Sequence, residues 1–128
     1  MTTTALVILP STSRGDTTTR DYVNDSYSAA EIFVDQTAQA STVAFVSVKL
    51  QGRVLGTTQY YTVGTISPAT AATFTRRLRV GPLATTALDS TALVTTTVNE
   101  PLPPVWRIAS TNVSTAAVTF SVSANLYP

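Results

Sequence analysis

The chain has 128 residues and a formal net charge of +1, with 44% hydrophobic and only 12% charged side chains. That length suits one domain burying about two-thirds of its unfolded surface, and the near-neutral balance excludes broad electrostatic attraction to nucleic acid or an anionic membrane. With no Cys and no His, thiolate nucleophiles, zinc–thiolate sites and Ser-His-Asp or Cys-His triads are excluded as well.

Thr makes up about a fifth of the sequence, and together with Val it favours a pleated, half-buried surface and therefore an all-β protein. The first strand is expected over Ala5 to Leu9, an apolar run cut at Pro10. It lacks a basic flank and is far too short for a signal peptide or a membrane span. Ser11 to Asp25 is polar and Thr-rich and reads as a loop or an extended arm, so residues 1–25 stand as an N-terminal arm on a single domain of residues 1–128.

Ala30, Ile32 and Val34 share one side of a second strand, with Glu31, Phe33 and Asp35 opposite. The polar stretch from Asp35 to Thr42 is expected to turn the chain. Val43 to Gln51 carries the clearest alternation: Ala44, Val46, Val48 and Leu50 point one way, Ser47, Lys49 and Gln51 the other. Gly52 is expected to end it, Thr57 to Val63 to return as its hairpin partner, and Gly64 to close that strand. Tyr60 and Tyr61 must then face opposite sides, one inward and one near the surface.

Ser67 to Ala72 has the Ser cap and early Pro of a short helix. The competing strand places Ala72, Phe74, Leu78 and Val80 on one face, interrupted by Arg76, and Gly81-Pro82 ends it under either reading. Within 83–99, Ala92, Val94, Thr96 and Val98 alternate as a strand. Glu100 to Pro104 cannot sustain a ladder and is an irregular connection. Val105 to Ala109 resumes extended structure, Asn112 to Thr115 turns, and Val118, Phe120 and Val122 form the inward face of a final strand. The expected architecture is a β-sandwich of about seven or eight strands, the jelly roll being one form open to it.

The strongest charge cluster is Arg76, Arg77 and Arg79. On a strand, Arg77 and Arg79 share a face about 7 Å apart, close enough to grip a carboxylate or phosphate. The competing role is a solvated or subunit-contact edge. Trp106 beside Arg107, with Tyr60 or Tyr61, has the makings of a platform for a sugar or base, although aromatics equally fill cores and interfaces. Arg14-Gly15-Asp16 and the Asn24 and Asn112 glycan-acceptor triplets are short patterns of little information. Asp16, Asp21, Asp25 and Asp35 match no calcium loop, and Glu31 with Asp35 reads as solubilising charge. No catalytic residue, metal site or cofactor is expected.

Val48-Lys49-Leu50-Gln51-Gly52 followed by Tyr60-Tyr61-Thr62-Val63, and Leu102-Pro103-Pro104-Val105-Trp106-Arg107-Ile108 followed by Ala117-Val118-Thr119-Phe120-Ser121-Val122, carry a family resemblance. With Ile32-Phe33-Val34-Asp35, they resemble small all-β virion structural proteins of tailed bacteriophages, over roughly Asp21 to Leu126. The resemblance implies a non-enzymatic capsid decoration, or cement, protein. It would be made in the host cytoplasm and sit on the capsid exterior against the major capsid protein, as a homo-oligomer with a trimer preferred. Neither nucleic acid nor membrane is an expected partner. The alternative is a receptor- or glycan-binding module of a tail or fibre, which needs an exposed aromatic. The uncharged final strand, Ala116 to Ala124, is expected to be a sheet edge available for self-association, as is the N-terminal arm.

Overall fold

In the computed structural model, the described residues are 3–15, 17–24, 26–40, 46–67, 73–82, 94–112 and 116–128. Among them are nine strands and no helix: β1 (Thr4–Arg14), β2 (Thr18–Val23), β3 (Ala29–Gln39), β4 (Val46–Arg53), β5 (Tyr60–Ile66), β6 (Phe74–Val80), β7 (Val94–Val98), β8 (Val105–Asn112) and β9 (Val118–Tyr127). They form a sandwich of two sheets. The first, sheet A, runs in the order β1-β9-β3-β6-β7, and the second, sheet B, in the order β2-β8-β4-β5. Every pairing is antiparallel except β6 with β7. Up to β4 the chain crosses from one sheet to the other at every connection, so neighbours in a sheet are mostly distant in sequence.

The alternating strands make the core because each sends its apolar side between the sheets. Ile32 and Val34 of β3, Val46, Val48 and Leu50 of β4, Ile108 of β8 and Val118, Phe120 and Val122 of β9 are all buried in one cluster. Trp106 joins it at 2% exposure. Gln36 extends the inward row of β3 and is fully buried, and its Oε1 accepts a hydrogen bond from the Val46 backbone N–H at 3.1 Å. That bond ties a strand of sheet A to a strand of sheet B.

Several boundaries differ from the sequence reading. Ser11 to Asp25 is mostly strand rather than loop or arm: β1 continues to Arg14 along β9, and β2 pairs with β8. Both segments are largely exposed edge strands, so little apolar periodicity marks them. A register shift between Val7 and Leu9 lets Ile8 and Leu9 both turn inward. β3 runs through Asp35 to Gln39 instead of turning, and β4 runs through Gly52 to Arg53. Gly64 lies inside β5 rather than closing it, because a Cβ there would come within 2.9 Å of Leu78 Cδ1 and 3.0 Å of Val98 Cγ2. The β4–β5 connection turns at Gly56, whose φ of 79° is a left-handed conformation suited to glycine. The final strand is not an edge. β9 lies between β1 and β3, and its small outward side chains face solvent from the middle of sheet A. The helix-or-strand choice at Ser67 to Ala72 falls mainly on residues outside those described, as do residues 83–93.

The Glu100 to Pro104 connection is irregular, as its prolines require. Asn24 anchors it: its Nδ2 donates to the carbonyls of Tyr27 at 2.7 Å, Leu102 at 3.3 Å and Pro103 at 3.3 Å. The Asn24 N–H donates to Pro104 O at 2.7 Å, and the Leu102 N–H to Ser28 O at 3.0 Å. Leu102 is thereby delivered to the core.

Candidate functional site

The five side chains singled out from the sequence do not meet. Arg77 and Arg79 lie on the outer face of sheet A, Trp106 lies between the sheets, and Arg107 lies on the outer face of sheet B. Arg76 points the other way from its two neighbours. It is half-buried, donates from Nη1 to Ser67 O at 3.0 Å, and has its guanidinium 5.8 Å from the Phe74 ring centre.

Arg77 and Arg79 converge on Glu31. The antiparallel register sets Glu31 of β3 opposite Arg79 of β6, with Arg77 one pleat away on the same face. Glu31 Oε2 lies 3.1 Å from Arg77 Nη1 and 3.7 Å from Arg79 Nε. On the other flank, the Tyr127 hydroxyl of β9 donates to Glu31 Oε1, and Arg77 Nε donates to Thr95 Oγ1 at 3.1 Å. Arg77 is only 8% exposed, so the pair is a nearly buried one. The reading of Glu31 as plain solubilising charge missed this role, whose signal is the register of β3 on β6. A hollow of about 120 Å³ opens beside Glu31, Arg79 and Tyr127, below the roughly 300 Å³ at which small-molecule pockets begin. The arrangement ties together four strands, β3, β6, β7 and β9, rather than presenting cations to a ligand.

Burial raises the Tyr127 phenol above its ordinary value, and the bond to Glu31 and that carboxylate's charge raise it further. Burial also raises Tyr22, against an opposing push from Arg20. A phenol raised in the folded state keeps its proton where the unfolded chain has lost it, so folding then binds more protons. Stability is therefore fully present below about pH 10 and falls as pH climbs above it. Urea unfolding midpoints should fall as pH rises above about 10, and Tyr127→Phe should flatten part of that slope. Identical pH dependence in the Phe variant would show that Tyr127 is not a source of it.

Trp106 stacks on Tyr22, ring centres 4.6 Å apart, with one face of the pair closing the core between β8 and β2. It is no exposed platform. Tyr60 is half-buried on the outer face of sheet B and lies under the Arg107 guanidinium, 3.7 Å from its ring centre. Tyr61, opposite Gly52 in register, is 45% exposed. Neither tyrosine packs fully inward as expected, because this end of β5 projects toward the exposed 54–59 turn. Arg107 is fixed from the side as well: its Nε donates to Gln51 Oε1 at 2.7 Å.

The remaining sequence candidates stay apart. Arg14 is turned back on its own fold, donating to Phe120 O at 2.8 Å and Pro10 O at 2.6 Å, and burial followed by the Arg20 charge lowers its pKa. Asp35 accepts from Thr75 Oγ1 at 3.0 Å. Asp16 and Asp25 lie outside the described residues. Among the described residues no three His, Cys, Asp or Glu side chains converge as a metal site would need. A hollow of about 320 Å³ is lined by Asn24, Tyr27, Leu102 and Pro104, groups that brace the proline connection.

No family model, curated protein or solved structure matches this chain.

Proposed function

We propose that the chain is a non-enzymatic structural protein of a tailed-phage virion, a decoration protein seated on the outside of the head shell. The observation that carries this reading is the strand order. Setting β7 aside as an added edge, the order β1-β9-β3-β6 over β2-β8-β4-β5 supports reading the sandwich as a double-sheet jelly roll. That arrangement serves viral capsid and lectin domains. A shared fold does not assign a function, so the choice between those uses rests on the aromatic residues. A sugar platform built on Trp106 requires its face to be open, and Tyr22 and the core cover it.

A partner that binds only the assembled shell stabilises it by mass action. Particles stripped of the protein should release their DNA at lower temperature and resist osmotic shock less, with both properties restored on adding it back. Equal resistance in stripped and decorated particles would refute the cement role.

The same reading includes a homo-oligomer, with a trimer preferred. β1 supports it: an edge strand of sheet A, uncharged from Thr4 to Ser13, with Val7 66% exposed. An edge offers unpaired backbone groups to another chain, and the stretch before Pro10 and the register shifts has no charge to blunt it. Light scattering at tens of micromolar should give a trimer mass, and Val7→Lys should shift it toward monomer. A wild-type monomer at that concentration would remove the oligomer from the proposal.

A further inference from the structure

The two outer faces of the sandwich differ in charge. On sheet A, Glu31 takes up Arg77 and Arg79. On sheet B, alternation along β4 puts Lys49, Gln51 and Arg53 on the outside, about 7 Å apart from one to the next. The register then places Arg107 directly beside Gln51, and Asp21 beside Arg107. This face thus collects three basic side chains and one acidic one among the described residues. Lys49 is exposed and has no hydrogen-bond or ion-pair partner among the described residues. Arg53 donates from Nε to Thr57 O at 2.6 Å, which commits one edge of its guanidinium.

Arg107 is the organised member. Tyr60 supports one face of its guanidinium and Gln51 holds its Nε. Both Nη groups are left without a partner among the described residues. A guanidinium fixed in this way has already lost much of its rotamer freedom before binding, and its planar fork matches a carboxylate.

We propose that the outer face of sheet B is the surface by which the protein docks on the head shell, with Arg107, Lys49 and Arg53 meeting acidic side chains of the shell subunit. The inference rests on the virion reading above. Three cations on a flat face, with Asp21 among them, fit a protein surface of mixed, mainly acidic charge. A nucleic acid would call for a larger set of phosphate contacts, on the order of six to ten.

The test uses stripped particles and the purified full chain, with rebinding followed by co-sedimentation. Lys49→Glu changes an exposed, unpartnered strand residue and should fold as the wild type does. Arg107→Glu also removes the contacts to Tyr60 and Gln51, so its thermal melt is measured beside it. Each reversal should weaken rebinding by about fivefold or more, and the wild type should itself bind less well between about 50 and 300 mM salt. Asp35→Lys, on the outer face of sheet A, should rebind like the wild type. If Lys49→Glu and a folded Arg107→Glu rebind as well as the wild type, this docking face is wrong while the decoration role stands. If the wild type does not rebind to shells at all, the decoration role and this inference fall together. Binding of the wild type to duplex DNA as tight as to shells, abolished by Arg107→Glu, would assign the face to nucleic acid and overturn the proposal.

Discussion

Glu31→Ala should lower the unfolding free energy by about 3–5 kcal/mol, the range seen when one partner of a buried ion pair is removed. Arg77 would remain at 8% exposure without the Glu31 carboxylate, and Tyr127 would lose the acceptor of its hydroxyl. Arg79 can turn partly to water, since about a quarter of its side chain is already exposed, so Arg77 carries most of the loss. Glu31→Gln keeps the shape and one acceptor and should fall between wild type and alanine. The double variant Glu31→Leu with Arg77→Leu should recover much of the stability, because replacing both charges avoids an uncompensated one. Urea denaturation at neutral pH reads all three. Single variants within about 0.5 kcal/mol of wild type would mark the cluster as a solvated surface pair instead.

Trp106→Ala should be comparably severe, about 3–5 kcal/mol. The substitution empties a site that is 2% exposed and removes a stacked contact at 4.6 Å, itself worth about 0.5–1.5 kcal/mol beyond area burial. The cavity would open where β8 and the edge strand β2 close the core. Trp106→Phe keeps a ring on Tyr22 and should retain most of the stability. Trp106 is the sole tryptophan, so wild-type unfolding can be followed by its emission, and the variants by circular dichroism. Near wild-type stability in the alanine variant would contradict the packing described.

These two residues show what the sequence carried and what it did not. Alternation in Ala30-Ile32-Val34, Val46-Val48-Leu50 and Val118-Phe120-Val122 identified core strands because each has one face buried and one exposed. β2 and the second half of β1 have both faces near solvent, so burial left no period in their side chains. Gly64 reads as a strand end by its type, and only the closeness of Leu78 and Val98 explains it inside β5. Gln36 continues the phase of Ile32 and Val34, a signal present in the sequence and overridden by its polarity. The arginine cluster was visible as charge. Its partner was not, because Glu31 lies 46 residues away in the chain and meets Arg77 only through strand register. Alternation along β8 puts Trp106 and Arg107 on opposite sides of one strand, so neighbours in sequence there cannot form one platform.

The central position of β9 has a consequence for how the protein is made. β9 is translated after every other strand, yet it is the one that joins β1 to β3. Until residues 118–127 leave the ribosome, β1 has no hydrogen-bonded neighbour in sheet A, and one side of β3 is an open ladder of unpaired amides and carbonyls. At about 5–20 residues per second, that interval lasts several seconds, during which the growing chain is a sticky half-sheet. The strand that fills the gap is itself uncharged from Val118 to Tyr127, so any neighbouring chain could supply an identical one. Dense clusters of translating ribosomes would therefore favour strand exchange between nascent copies.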